Sequence, residues 1–269
     1  MRIADKTFVV TGGGNGIGRA LALELLARGA RVAALDLNEA GLEETARRAD
    51  VGERLSLHPV NITDRAAVAA LPDAIAALHP AIDGLVNVAG IIQPFVTIDE
   101  LGFDVIERVM NVNFWGVVNT TKTFLPVIRQ RPEGAIVNIS SMGALTPVPG
   151  QAAYGASKAA VKLFTEALFA ELQGTNVTAT VVFPGAIATD ITANSGVTMP
   201  TMGSAGRTAP EPTRPEEAAR QIVAAIEKGS YRVTIGKDVT MLDRLSRLAP
   251  RRATLILAGQ MKELLTSVS

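Results

Sequence analysis

The chain has 269 residues, 48% of them hydrophobic and 19% charged, with 26 basic residues balancing 26 acidic ones and no cysteine. That length and apolar content bound one large α/β domain or two small ones around a sizeable core, and argue against a disordered chain. A neutral chain lacks the basic footprint of a nucleic-acid binder, and without cysteine there are no disulfides, zinc-thiolate sites or thiol catalysis.

Apolar runs alternate with helical periodicities along the chain, the pattern of βαβ units and a parallel sheet. Strands are expected at 7–10, 31–35, 55–60, 84–87, 135–139, 178–183 and 232–235. Most are bare apolar runs, as strands covered on both faces should be. Helices are expected at 17–28, 39–48, 65–78, 103–128, 152–172 and 215–228. The fold class is therefore α/β, a doubly wound seven-stranded parallel sheet of Rossmann type, with 1–269 as a single domain. Ligands in such sheets bind beyond the carboxyl ends of the strands, where strand order reverses. An almost uncharged Thr/Gly/Ala/Ser/Pro/Met stretch at 191–212 is long for an internal loop and is expected to be a substrate lid.

The first strand runs into Thr11-Gly12-Gly13-Gly14-Asn15-Gly16-Ile17-Gly18 and then a helix. Glycines at 12, 16 and 18 allow a tight turn, close approach of a pyrophosphate and close helix–strand packing, with the anion at the helix N-terminus. Asp36, at the end of the second strand, can accept hydrogen bonds from a ribose 2′-hydroxyl and would repel a 2′-phosphate. Leu37, Asn38 and Asn15 are uncharged, which favours NAD over NADP, and Asn38 serves better than Asp36 as cap for the helix that follows. Asn61, followed by Ile62, either reads the adenine or caps the helix after Asp64.

His58 and His79 are each followed by proline and have no partner at ligand spacing, so surface or loop positions and no metal are expected. The segment 1–6 has no apolar region long enough for a signal peptide, and no run approaches the roughly 18 apolar residues of a membrane span. A cytoplasmic protein is expected.

Tyr154 and Lys158 carry the chemistry. Four apart on a helix, they lie on one face. A phenol whose ordinary pKa is about 10 then sits beside an ammonium, and a nearby positive charge favours the phenolate. The pair makes a proton donor and acceptor without histidine, cysteine or metal.

Together these residues resemble the short-chain dehydrogenase/reductase family over nearly the whole chain. Asn87-Val88-Ala89-Gly90 is similar to its strand-four signature, from which Val88 departs, and Asn61 stands where the family more often has aspartate. Asn113 matches the asparagine that kinks a long helix and holds a relay water. Ser141 lies thirteen residues before Tyr154, the family spacing. Pro184-Gly185-Ala186-Ile187-Ala188-Thr189 resembles the segment holding the nicotinamide, with Ile187 and Thr189 at its carboxamide. The resemblance implies NAD as cofactor. It also implies that Tyr154 transfers the proton, Lys158 lowers its pKa and holds the nicotinamide ribose, Ser141 holds the substrate oxygen, and Asn113 links the lysine to solvent.

Three segments are expected to wall the substrate pocket: 93–97, 142–149 and the lid. They offer Pro94, Phe95, Val96, Met142, Leu145, Pro147, Val148, Ile191, Val197, Met199 and Met202, which suits a lipophilic alcohol or ketone of steroid, terpenoid, aromatic or acyl type. The alternative is that these side chains pack the lid on the core. The extension at 238–269 shows two helical stripes split by Pro250, with Val239, Leu242, Leu245 and Leu248 on the first and Ala253, Leu257, Met261, Leu264 and Leu265 on the second. A capping helix pair is the preferred reading. The basic residues Arg244, Arg247, Arg251, Arg252 and Lys262 allow a weak peripheral membrane contact. Apolar residues in excess of one core face on helices 103–128 and 152–172 predict a homo-oligomer, dimer or tetramer. Two other functions are weighed against a dehydrogenase: a non-catalytic dinucleotide sensor, expected to have lost Tyr154, Lys158 or Ser141, and a related epimerase or lyase, expected to carry a larger C-terminal domain.

Overall fold

A computed structural model describes residues 1–197 and 211–266, with backbone alone at 237–238 and 260–266. The lid residues Met199 and Met202, and the side chains of Met261, Lys262, Leu264 and Leu265, lie outside the described residues.

Seven parallel strands form one sheet: β1 (Thr7–Thr11), β2 (Arg31–Asp36), β3 (Leu55–Pro59), β4 (Gly84–Asn87), β5 (Gly134–Ile139), β6 (Val177–Pro184) and β7 (Arg232–Ile235). Their order is β3-β2-β1-β4-β5-β6-β7, so it reverses between β1 and β4, where Thr11 lies opposite Asn87. Successive residues of a strand point to opposite faces. Val10, Val32, Ala34, Val86 and Val137 therefore join the core under α1 (Gly16–Ala27) and α9 (Pro215–Lys228). Val9, Ala33, Leu35, Leu85 and Ile136 join the opposite core, with Phe124, Ile128 and Leu168 from the helices there.

The remaining helices are α2 (Glu39–Ala49), α3 (Arg65–Ala69), α4 (Leu71–Ala76), α5 (Phe103–Met110), α6 (Gly116–Ile128), α7 (Ala152–Glu171), α8 (Ile191–Asn194), α10 (Lys237–Leu248) and α11 (Pro250–Thr266). The single helix expected at 65–78 is two, because Pro72 sits in the first turn of α4 and has no N–H to continue the ladder from α3. The helix expected at 103–128 is interrupted by a π-turn, Asn111–Trp115. One turn of helix, α8, opens the segment expected to be a lid. Pro250 does split the C-terminal extension: Val239, Ala253 and Leu257 are buried, whereas Leu248 is 87% exposed.

The histidines differ from expectation. His79 is buried and His58 half-buried, and the Nε2 of each lies 2.8 Å from the Ser56 hydroxyl. Ser56 and His58 are two apart on β3 and share a face, and the end of α4 brings His79 to the same hydroxyl. Burial lowers the pKa of both. Among the described residues no helix is long and apolar enough to cross a membrane.

Candidate active site

The site is built where β1 and β4 part. Gly12 (φ 72°) and Gly16 (φ 51°) take left-handed backbone, which glycine adopts without steric cost. A Cβ on Gly12 would lie 3.0 Å from the Ala89 nitrogen, and one on Gly18 would lie 2.0 Å from the Gly12 carbonyl oxygen. No other residue lets α1 start so close to β1. Asn15 caps α1, its side chain accepting from the Gly16 N–H at 2.5 Å, and the first intrahelical bond runs from Arg19 N–H to Asn15 O. The N–H groups of Ile17 and Gly18 thus have no partner in the helix and are free for an anion.

Asp36 closes the turn from the side of β2. One carboxylate oxygen accepts from the Gly14 N–H at 2.9 Å and the other from the Asn38 N–H at 3.0 Å, so each keeps a lone pair. Asn38 caps α2, as expected, by accepting from the Gly41 N–H at 3.0 Å. Asn61 does not cap a helix: its oxygen accepts from the N–H and hydroxyl of Thr63, and Asp64 caps α3. Ile62 is buried, and a Cβ on Gly116 would lie 2.5 Å from its Cδ1.

The amide of Asn87 turns into the sheet rather than toward the crevice. It accepts from Thr120 Oγ1 at 2.7 Å and donates to Asn138 Oδ1 at 2.9 Å. Beyond it, the N–H groups of Val88 and Ala89 donate to Thr11 Oγ1 at 3.0 and 3.1 Å, which shapes the loop through Gly90. After β6, Pro184 is buried and Gly185 N–H donates to Ile235 O at 2.9 Å. Ile187 pairs with Thr213, and the Thr189 methyl is 3.2 Å from where a Gly16 Cβ would stand. The segment expected at the nicotinamide therefore abuts the glycine turn.

Tyr154 and Lys158 lie one turn apart on α7, at the carboxyl end of β5. Lys158 is buried at 3% exposure, and its Nζ donates to Ile139 O at 3.0 Å. Burial drops its pKa from 10.5 to about 8. Ser141 caps a short 3-10 turn, Met142–Ala144, accepting from Gly143 N–H at 3.1 Å. A Gly143 Cβ would stand 3.6 Å from Ser141 Oγ and 3.7 Å from Tyr154 Cε1, so glycine keeps the space between hydroxyl and phenol open. Gly90 does the same between Lys158 Nζ and Asn113 Oδ1, 3.0 and 3.1 Å from its would-be Cβ.

One expectation about these four residues needs correction, and a second is narrowed. Burial pushes the half-buried Tyr154 phenol above its ordinary value, and a hydrogen bond with Ser141 opposes it. Lys158 Nζ is 6.0 Å from the ring centroid and already committed to Ile139 O, so in the free protein it does not depress the phenol. The side chain of Asn113, in the π-turn, is fully buried and bonds both the N–H and the C=O of Ile91, at 2.8 and 2.9 Å, and Ser157 Oγ at 2.9 Å. Both amide protons are used, which leaves one lone pair of Oδ1 for a relay water.

A family model described as short chain dehydrogenase matches residues 6–199. The chain belongs to the short-chain dehydrogenase/reductase family. It is 40% identical over 253 residues to SadH of Mycobacterium tuberculosis, an oxidoreductase by name, with 90% of both chains covered. A short chain dehydrogenase from Burkholderia cenocepacia, solved in complex with NADP, superposes with a TM-score of 0.80 at 28% identity, over 96% of this chain and 99% of that one. A short-chain dehydrogenase/reductase from Burkholderia phymatum, solved in complex with NAD, gives 0.82 at 23% identity, over 94% and 97%, and shows the likeness of fold.

Several contacts around the crevice escaped the sequence. Arg19 bonds Gly14 O, Gly41 O at 3.2 Å and Thr45 Oγ1 at 3.0 Å, lacing the glycine turn to α2. Gln93, expected in the pocket wall, is fully buried and turned toward α7. Of the expected wall, Met142 and Leu145 pack on Val181, Phe183 and Val239, and Val96 packs with Leu101, Val109 and Ala153. Phe95, Val148, Ile191 and Val197 are half-buried, and Pro94 and Pro147 are exposed.

Proposed function

We propose that this oxidoreductase is an NAD-dependent dehydrogenase that interconverts a secondary alcohol and a ketone on a lipophilic substrate. The observation that carries the reading is the approach of Tyr154 to Ser141 across Gly143, with Lys158 buried one turn below. The crevice residues fit a dinucleotide: the glycine turn has no room for side chains, α1 offers free N–H groups, and Asp36 keeps two lone pairs. When bound, the dinucleotide supplies hydride transfer at its nicotinamide ring. Tyr154 Oη, as phenolate, would take the hydroxyl proton of the alcohol and, as phenol, would return it to the carbonyl oxygen in the reverse direction. Ser141 holds the substrate oxygen. Lys158, once drawn from Ile139 O by the ribose, would hold that ribose and stabilise the phenolate, and Asn113 would join the lysine to solvent through its remaining oxygen lone pair. Proton transfer of this kind is worth about 10²–10⁴ in rate.

NAD rather than NADP is supported by Asp36 beside the uncharged, exposed Leu37, and by Arg19, whose guanidinium is already engaged by the turn. A lipophilic substrate is supported by Phe95, Val148, Ile191 and Val197, which are half-buried on the three segments expected to wall the pocket and are not part of the core clusters. Segment 191–212 acts as lid within a single domain. The protein works in the cytoplasm as a homo-oligomer, which the cysteine-free composition and exposed apolar helix faces support. Exposed Met241, Leu248, Leu255 and Ile256, with Arg244, Arg251 and Arg252, support a weak peripheral membrane contact of the tail.

Tyr154→Phe tests the mechanism. Turnover of an apolar secondary alcohol such as 1-phenylethanol, followed by NADH absorbance, should fall by about 10²-fold or more while NADH still binds by fluorescence. Activity within a few-fold of wild type would refute the proton-transfer role.

A further inference from the structure

Helix α7, which presents Tyr154, starts at Ala152. Its second and third N–H groups, of Ala153 and Tyr154, need an acceptor, usually a short Ser, Thr, Asp or Asn at the cap position just before the helix. That position is Gln151, whose side chain makes no capping bond. The acceptor comes instead from Gln93, on the loop after β4: its Oε1 accepts from Ala153 N–H at 2.8 Å and from Tyr154 N–H at 3.1 Å. Gln93 Nε2 donates to Gly150 O at 3.0 Å, and Gln151 Nε2 donates to Gln93 O at 2.9 Å. Gln93 is fully buried, so none of these bonds competes with solvent. Two residues back on the same loop, Ile91 is gripped through its N–H and C=O by Asn113. Asn113 also donates to Ser157 Oγ, which donates to Tyr154 O at 2.7 Å. The backbone of Tyr154 is thus held at its N–H and at its C=O by side chains from outside or along the helix, and one loop connects both grips.

We propose that Gln93 is a positioning residue for Tyr154: it is the cap of α7, supplied across the fold, and it caps without charge. An acid would bond these N–H groups more strongly. It would also put a negative charge at the backbone of the residue whose phenol must ionise, and so raise the phenol's pKa further. Glutamine gives the acceptor and leaves the positive end of the helix dipole uncancelled beside Tyr154. That this serves proton transfer rests on the role proposed for Tyr154; the cap itself does not.

The chain has two tyrosines, so in a Tyr231→Phe background the ultraviolet absorbance of tyrosinate reports Tyr154 alone, with no substrate needed. In that background Gln93→Glu, which keeps the accepting oxygen, should raise the titration midpoint of Tyr154 by about one pH unit. Gln93→Met, which fills the space without an acceptor, should speed hydrogen exchange of the Ala153 and Tyr154 amides by about tenfold, with the amides of Val161–Thr165 unchanged. An unshifted midpoint in the Glu variant would overturn the charge argument, and unchanged exchange in the Met variant would overturn the cap. If the Met variant does not fold, the cap is read in the Glu variant, whose stronger acceptor should slow exchange of the same two amides, and unslowed exchange there would overturn it. An active Tyr154→Phe enzyme would sink the proton-transfer role while leaving both cap measurements standing, so the two failures are distinguishable.

Discussion

Lys158 shows at the scale of one residue how function opposes stability. Lys158 is 3% exposed and its pKa falls to about 8, so below pH 8 the folded protein carries a buried charge that the unfolded chain would hydrate. The unfolded lysine keeps its proton up to 10.5. Folded molecules therefore bind fewer protons between pH 8 and 10.5, and stability rises with pH across that window. Lys158→Met keeps the aliphatic stem and discards the charge; at pH 7 it should be more stable by about 1–3 kcal/mol and inactive. Its advantage should shrink above pH 8. Thermal melts at pH 7 and pH 9.5 check both statements, and a less stable variant at pH 7 would contradict them. Asp36 has two duties, since it braces Gly14 and Asn38 as well as facing the crevice. Asp36→Ala with Leu37→Arg should lower kcat/KM for NAD and move the NADP/NAD ratio toward NADP by a few kcal/mol. A wild type that uses the two equally would remove the assignment.

At the scale of elements, β3 and α4 meet through an unusual polar contact. The Ser56 hydroxyl has one proton and lies 2.8 Å from two Nε2 atoms, so it donates to one histidine and accepts from the other. Burial lowers both pKa values below the ordinary 6.5, and for His79 the charges of Arg31 and His58 add to it. The folded state then binds fewer protons than the unfolded chain as pH falls below about 6.5, and stability is lost there. Urea unfolding should give a lower midpoint at pH 5 than at pH 7, and the His58→Gln, His79→Gln double variant should show a flatter dependence. An equal slope in the double variant would mean that carboxylates elsewhere carry the effect. The π-turn between α5 and α6 is an element-scale device of another kind. It places Asn113 where its side chain spans from Ile91 to Ser157.

At the scale of the whole molecule, the apolar excess on the long helices divides in two. Phe124, Val161 and Leu168 are buried within the subunit. Facing outward are Phe103 at 83%, Leu163 at 67% and Trp115 at 42% exposure. Phe114, half-buried, lies 5.5 Å from the Trp115 ring and 6.2 Å from Phe164. Covering such a surface returns about 25 cal/mol per Å², and a two-fold contact between copies is the commonest way to do it. Sedimentation velocity at micromolar concentration should show a dimer or larger, and Phe103→Asp with Leu163→Asp should shift it to monomer. A wild-type monomer near 28 kDa would remove the oligomer reading.

The seven strands, the glycine turn and the order of Ser141, Tyr154 and Lys158 were legible in the sequence. Each is written locally: apolar runs make strands, glycines mark backbone no side chain can follow, and two residues four apart share a helix face whatever surrounds it. The break at Pro72 went unread, since the helix expected at 65–78 ran through a residue that has no N–H to continue the ladder. What only the tertiary structure decided are contacts between distant segments and the water they exclude. Gln93 lies 60 residues from the amide it caps, and nothing in a Gly-Ile-Ile-Gln-Pro run marks it as part of a helix beginning at Ala152. The convergence of two histidines on Ser56, the engagement of Asn113's amide and the outward turn of Phe103 and Leu163 are of the same kind. The phenol's pKa is the sharpest case, because spacing places an ammonium one turn away, but burial of Tyr154 and the bond from Lys158 to Ile139 decide the sign of the shift.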